Sequence, residues 1–340
     1  MKAVILAGGE GTRLKIVTGE TPKPMAKVLG VPVMERIVHL LRQNGFTELC
    51  AALCYRPEEI MEHFGDGARF GVRMEYRVQP DPIGTAGSVL QCRDYYGDED
   101  FLVMSGDAMC DFDLRGLYAR HQESGAAVTM ALHENLEPLR YGLVLLDRNG
   151  LVRHFVEKPD WPQVVTNLVS TGIYVLSPRA MGYVPEGQPF DFAKHLFPML
   201  LQSGETILGV PMEGYWKDIG TPRDYHQCCL DVLDGRVKTE PPAPEEASEL
   251  KSDRAAGTPV PCRDRAGLMR LASEAFLEAG ADFADGLHFT DGGWDVRIRP
   301  DAKDSAVRVE GTPAEAEQET ARLLGMMDEM SEERKMKREE

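Results

Sequence analysis

The chain has 340 residues and carries 38 Lys+Arg against 55 Asp+Glu, for a net charge of −17. That length suffices for one large core and a smaller second unit. Such an acidic chain is unsuited to non-specific nucleic-acid or membrane binding, and its few cations can be focused on an anionic small molecule. No apolar run approaches the roughly 20 residues that cross a bilayer. Met1-Lys2 leads straight into an apolar stretch, leaving no room for a signal peptide, so a cytoplasmic protein is expected. The seven cysteines are odd in number and irregularly spaced. Cys50 and Cys54 have no second pair at ligand spacing, so reduced thiols are expected.

Val4-Ile5-Leu6-Ala7 reads as a buried strand that stops at Gly8-Gly9-Glu10-Gly11-Thr12-Arg13. Backbone amides are free there and side chains few, so the loop can wrap a polyphosphate. Arg13 and Lys23 put two cations beside it. The third glycine of a dinucleotide fingerprint is missing after Gly9-x-Gly11, and no G-x-x-x-x-G-K-[ST] run occurs at Lys15. Pro32 begins a helix with Val33, Ile37, Leu40 and Leu41 on one face, stopped by Gly45. Strands are expected over 49–53, 72–78 and 101–105, and helices over 57–64 and 84–95. Asp107 follows the strand Phe101–Ser105 directly, at the carboxyl end where open α/β sheets bind ligands. A carboxylate there, near triphosphate, suits Mg²⁺. Asp111-Phe112-Asp113 has the look of a glycosyltransferase D-x-D, but Asp113 precedes Leu114, Leu117 and Tyr118 and reads as a helix N-cap. Asn149-Gly150, between two apolar runs, signals a hairpin over 143–156. Residues 169–176 and 206–212 are further strands.

Alternation of strands and helices up to about residue 237 implies an α/β sheet. Residues 238–262 are rich in Pro, Glu, Ala and Ser and read as a flexible linker. A small α+β unit is expected over 263–330, with a hairpin around Asp291-Gly292-Gly293 and a strand at 307–310. A charged tail, 331–340, follows.

Gly8-Gly9-Glu10-Gly11-Thr12-Arg13-Leu14 with Pro22-Lys23-Pro24 resembles the signature of the sugar-1-phosphate nucleotidyltransferases. Four further segments, in family order, carry the resemblance over residues 1–237. They are Val78-Gln79-Pro80 to Gly84-Thr85-Ala86-Gly87, Ser105-Gly106-Asp107, Glu157-Lys158-Pro159 and Trp216-Lys217-Asp218-Ile219-Gly220-Thr221. The resemblance implies a Rossmann-like, GT-A-like domain with a mixed central sheet. It implies Arg13, Lys23 and Asp107 as catalytic residues, and Asp107 and Asp218 as Mg²⁺ ligands. It implies Leu6, Gly8, Gly9, Gly11, Thr12, Gln79, Gly84 and Thr85 around the nucleoside triphosphate. Gly142, Glu157, Lys158, Ser170 and Thr171 would line the sugar 1-phosphate pocket. Glu157 would accept from sugar hydroxyls and Lys158 would neutralise the sugar phosphate. Phe64 to Val72 and Pro189-Phe190-Asp191-Phe192 are similar to the mannose-1-phosphate guanylyltransferase-like branch, which favours GTP and mannose 1-phosphate. Glucose 1-phosphate with a uridine, thymidine or cytidine triphosphate stays open, as does a non-catalytic sensor of sugar nucleotides. The family has asparagine where Ser170 stands and R-P-L-T where Lys15-Ile16-Val17-Thr18 stands. No hexapeptide repeats follow. The segment from 263 resembles the last domain of a phosphohexomutase, but its phosphate loop reads Arg299-Pro300-Asp301-Ala302-Lys303-Asp304-Ser305, whose acids repel phosphate, so no mutase activity is expected. Partners are small molecules; homo-oligomerisation is open.

Overall fold

The fold follows from where the apolar strands find cover. The computed structural model describes residues 1–14, 18–135, 137–239, 258–261, 287–291, 294–300 and 306–310. In chain order the strands are β1 Lys2–Leu6, β2 Lys27–Val28, β3 Val31–Pro32, β4 Glu48–Leu53, β5 Arg73–Val78, β6 Phe101–Ser105, β7 Ala108–Cys110, β8 Val128–Glu134, β9 Gly142–Leu146, β10 Val152–Glu157, β11 Leu168–Leu176, β12 Ile207–Pro211, β13 Trp216–Asp218, β14 Thr258–Pro261, β15 Leu287–Asp291, β16 Trp294–Pro300 and β17 Ala306–Glu310.

Residues 1–12, 21–25 and 33–218 form one compact unit. Its nine-stranded sheet runs β10-β9-β11-β6-β1-β4-β5, with β8 pairing both β11 and β12. β1 is parallel to β4 and β6, whereas β11 is antiparallel to β6, so the sheet is mixed as expected. Ala3, Val4 and Ile5 are fully buried, which is why an unbroken apolar run was selected over an alternating one. Burial of Val4 and of Ile5 contributes about 2 kcal/mol each. The helix Val33–Gln43 buries Val33, Ile37, Leu40 and Leu41 as its periodicity requires, and Gly45, at φ 84°, turns the chain out of it. The hairpin at Asn149-Gly150 is anchored by Asp147, whose Oδ1 accepts from Asn149 N at 2.8 Å and Leu151 N at 3.0 Å. Asp113 caps the helix Leu114–Ser124 by accepting from Gly116 N at 2.8 Å. Asp111 accepts from Tyr215 N at 2.6 Å, so both carboxylates of the D-x-D serve the backbone.

One expectation is corrected. Residues 84–95 are two helices, Thr85–Leu90 and Arg93–Tyr96, because the chain turns at Cys92, whose thiol packs against Cys50 with sulfurs 3.7 Å apart. Residues 13–20, 26–32 and 219–340 form the second unit, in which Tyr225 of the helix Pro222–Leu233 donates its hydroxyl to Lys27 O at 2.5 Å. That unit carries a sheet in the order β14-β17-β16-β15. The end of the expected linker is therefore a strand, and Pro259 and Pro261 sit on its edge, where proline is tolerated. The other expected linker residues after Thr239, most of the expected α+β unit over 263–330 and the tail lie outside the described residues.

Candidate active site

Four parallel strands end in one row. Leu6 pairs with Ala52 and with Ser105, and Leu53 pairs with Val78. The loops after β1, β4, β5 and β6 therefore leave the same carboxyl edge of the sheet and carry Gly8, Cys54, Gln79 and Asp107. Gly106 N donates to Leu6 O at 2.8 Å, which locks the loop after β6 to the end of β1, so Leu6 contributes its backbone.

Asp218 is brought to Asp107 by strand pairing. β13 runs antiparallel to β7 and sets Asp218 opposite Ala108, the residue after Asp107. Trp216 anchors β13: its ring is buried and its Nε1 donates to Thr171 O at 3.1 Å. Between the two carboxylates lies Lys23, from the turn Lys23–Met25, with Nζ 2.8 Å from Asp107 Oδ2 and 2.7 Å from Asp218 Oδ1. The lysine side chain is 9% exposed, and the aspartates are 30% and 25% exposed, so the cation is enclosed while its partners face solvent. Gly11 is required by this contact. Its φ is 65°, and a Cβ there would lie 2.7 Å from Lys23 Cβ.

Burial disfavours charge on Lys23, yet Asp107 and Asp218 together outweigh it and hold the ammonium above its ordinary range. Burial likewise pushes Asp107 up, and the Lys23 charge and its hydrogen bond, joined by the Ser105 hydroxyl, pull the carboxyl below its ordinary value. Lys23 and Asp107 are thus both charged near neutral pH. Ser105 was not anticipated, although its place two residues before Asp107 is the signal that could have found it. Arg13 lies on the short helical turn Thr12–Leu14 with an exposed side chain, and clusters with the second unit.

Around the loop, Gly8 packs on β4: a Cβ there would lie 3.2 Å from Cys54 Cβ. Gly9 and Thr12 are exposed, and open space surrounds Gly9. Gln79 is buried, and its amide is engaged by Ser88, whose hydroxyl donates to Gln79 Oε1 at 2.9 Å. Gly84 does permit a close approach, but of backbone: at φ 74°, its Cβ would lie 2.6 Å from Phe190 O. Thr85 is tied to the same segment, with Asp191 Oδ1 accepting from its N at 3.1 Å. Gly84 and Thr85 therefore fasten the helix Thr85–Leu90 to residues 190–192.

On the other side of β6, Glu157 pairs with Gly142, and Leu143 pairs with Val169, next to Ser170. Gly142 gives room to this row, since its Cβ would lie 2.5 Å from Phe155 Cζ and 3.1 Å from Glu157 Oε2. Burial raises the Glu157 carboxyl, against the pull of Lys158 and Lys194. Lys158 is exposed and adopts φ 45°, a left-handed conformation costly for a residue with a Cβ. Ser170 Oγ lies 3.0 Å from Tyr174 OH. Thr171 turns its hydroxyl inward, donating to Ala131 O at 2.8 Å, so it offers the edge only backbone.

Among the described residues no group of three or more His, Cys, Asp or Glu is placed to hold a metal ion. Asp107 and Asp218 are a pair of hard oxygen donors, already arranged around a cation and partly open to solvent. Such a pair fits Mg²⁺, which takes one or two carboxylates and completes its shell with water and substrate phosphates.

Against known proteins, residues 2–235 match the nucleotidyl transferase family model. The chain is 37% identical over 251 residues to a UTP–glucose-1-phosphate uridylyltransferase of Synechocystis, covering 70% of this chain and 65% of that one. It is 30% identical over 258 residues to a mannose-1-phosphate guanylyltransferase of Mycobacterium tuberculosis, covering 76% and 71%. The chain thus spans about two thirds of the length of the relatives it matches. The structure is similar to HddC from Yersinia pseudotuberculosis in complex with GMP-PN, with TM-score 0.58 and 28% identity, covering 68% of this chain and 99% of HddC. With a family match over most of its length and geometry to suit, the chain belongs to the nucleotidyl transferase family.

Proposed function

We propose that the protein joins a sugar 1-phosphate to a nucleoside triphosphate, giving a nucleoside diphosphate sugar and pyrophosphate. The observation that carries this reading is the Lys23 ammonium held between Asp107 and Asp218 at the carboxyl edge of the sheet. A sugar 1-phosphate is already an anion near neutral pH, because the second pKa of a phosphate monoester is about 6. Its attack on the α-phosphorus needs no general base. It needs negative groups pressed together, and cations and backbone amides do that work. Lys23 neutralises charge at the triphosphate, with Arg13 as a second cation. The amides of Gly8 to Gly11 hold its oxygens. Glu157 accepts from sugar hydroxyls, and Lys158 neutralises the sugar phosphate. Asp107 and Asp218 would hold Mg²⁺, which supplies charge neutralisation on the phosphates when bound.

GTP with mannose 1-phosphate is the substrate pair we favour, supported by the Mycobacterium tuberculosis relative and by the GMP-PN bound to HddC. UTP with glucose 1-phosphate is the second reading, supported by the Synechocystis relative. A cytoplasmic setting fits either. For the C-terminal unit we propose a packing, regulatory or oligomerisation role; interconversion of sugar 1- and 6-phosphates would overturn it. A pyrophosphate-release assay with GTP, UTP, dTTP and CTP against both sugar phosphates, with Mg²⁺, tests the main proposal. Release with one pair and not the others is expected. Release with none would favour a sugar-nucleotide sensor and contradict the enzyme.

A further inference from the structure

Pro189-Phe190-Asp191-Phe192 leads into a single widened turn of π-helix, Phe192–Leu196. Asp191 O there accepts from both His195 N and Leu196 N at 3.1 Å. Widened turns of this kind recur at functional sites. This one is fixed from several directions. The Phe192 ring is buried, 5.4 Å from that of Tyr174 and 5.7 Å from that of Phe197. His195 Nδ1 accepts from Asp191 N at 2.9 Å, and Phe192 N donates to Thr85 Oγ1 at 3.0 Å.

The same turn borders the sugar side of the edge. It packs against β10, the strand that ends at Glu157, and Tyr174, its aromatic neighbour, bonds Ser170. Lys194 stands on this turn with its side chain 65% exposed and its Nζ 4.0 Å from Asp191 Oδ2. An ion pair so long and so exposed contributes little to stability. Burial raises the half-buried Glu157 carboxyl, and the charges of Lys158 and Lys194 both pull it down.

We propose that Lys194 is a second binding cation for the phosphate of the sugar 1-phosphate, supplied by the π turn and acting with Lys158. The assignment rests on the nucleotidyl-transfer reading and deepens it. A phosphate monoester dianion carries close to two charges, and one lysine answers only one of them. Two ammonium groups hold it while Glu157 fixes the sugar ring.

The test is steady-state kinetics of Lys194→Ala and Lys194→Arg with the substrate pair that the wild type turns over, varying each substrate in turn, after checking for an unchanged Tm. Lys194→Ala should raise KM for the sugar 1-phosphate about tenfold, as expected for losing one charged contact, with KM for the triphosphate within about twofold. Lys194→Arg should recover most of the loss. An unchanged KM for the sugar 1-phosphate, or equal rises in both, would overturn the assignment while leaving the transferase intact. Absence of turnover by the wild type with every pair would instead overturn the transferase reading, and this assignment with it.

Discussion

Two ionic clusters in the first unit are near mirror images. In one, the buried Lys23 ammonium lies between Asp107 and Asp218. In the other, the buried Glu35 carboxylate lies between His63, at 2.7 Å, and His39, at 3.7 Å. Each has one enclosed charge and two partners that are about a quarter exposed. They differ in place and in partners. Lys23 sits where loops converge at the carboxyl edge of the sheet, and its partners are fixed by strand ends. Glu35 sits on a helix flank, and its partners are imidazoles stacked edge-on against Phe70 and Phe64. A paired buried charge is therefore no mark of a site by itself; what matters is whether it stands where a ligand can reach its partners.

That contrast can be broken most directly at Lys23. Lys23→Ala should lower turnover about a thousandfold, because it removes charge stabilisation where the transferring phosphate must sit. Measured kcat within tenfold of wild type would break the comparison.

Glu35→Gln should do the reverse, costing stability and sparing turnover. Burial pushes this carboxyl up, but hydrogen bonds from His39 and His63 and their charges outweigh it and hold it at about 2. A carboxyl depressed in the folded state stabilises the fold above its unfolded pKa, near 4.5, and that stability is lost as pH falls toward 2. The contribution is about 3 kcal/mol. Urea melts between pH 2 and 7 should show a flattened acid limb in Glu35→Gln. A limb as steep as that of the wild type would contradict the assignment.

The comparison is sharpened by Asp218→Asn, which keeps shape and removes the charge of one proposed ligand. The Mg²⁺ concentration for half-maximal turnover should rise about tenfold, since affinity follows ligand charge. An unmoved titration would sever Asp218 from the metal. The smallest effect is expected at the helix cap: Asp113→Ala should cost about 1 kcal/mol in urea unfolding with turnover unchanged. A collapse of activity instead would revive the D-x-D as chemistry.

The first strand, its glycine loop, the helix after Pro32, the Asp113 cap and the Asn149-Gly150 hairpin were legible because each depends on near neighbours in the chain. The approach of Asp107 and Asp218 was legible only through motif resemblance, since it depends on β7 pairing with β13 across more than a hundred residues. Gly84, Thr85 and Thr171 show the limit. Their residue types suit ligand contact, yet their partners are Phe190, Asp191 and Ala131, and no local pattern announces which distant backbone a glycine or hydroxyl will meet.

The central claim is that the Lys23 cluster performs nucleotidyl transfer. Exchange of radiolabelled pyrophosphate into the nucleoside triphosphate, started from the diphosphate sugar in Mg²⁺, reads that step alone. The account predicts label in the triphosphate with wild type and with Glu35→Gln, and a loss of about a thousandfold with Lys23→Ala. Equal labelling by wild type and Lys23→Ala, or none by the wild type with any of the candidate sugar nucleotides, would contradict it.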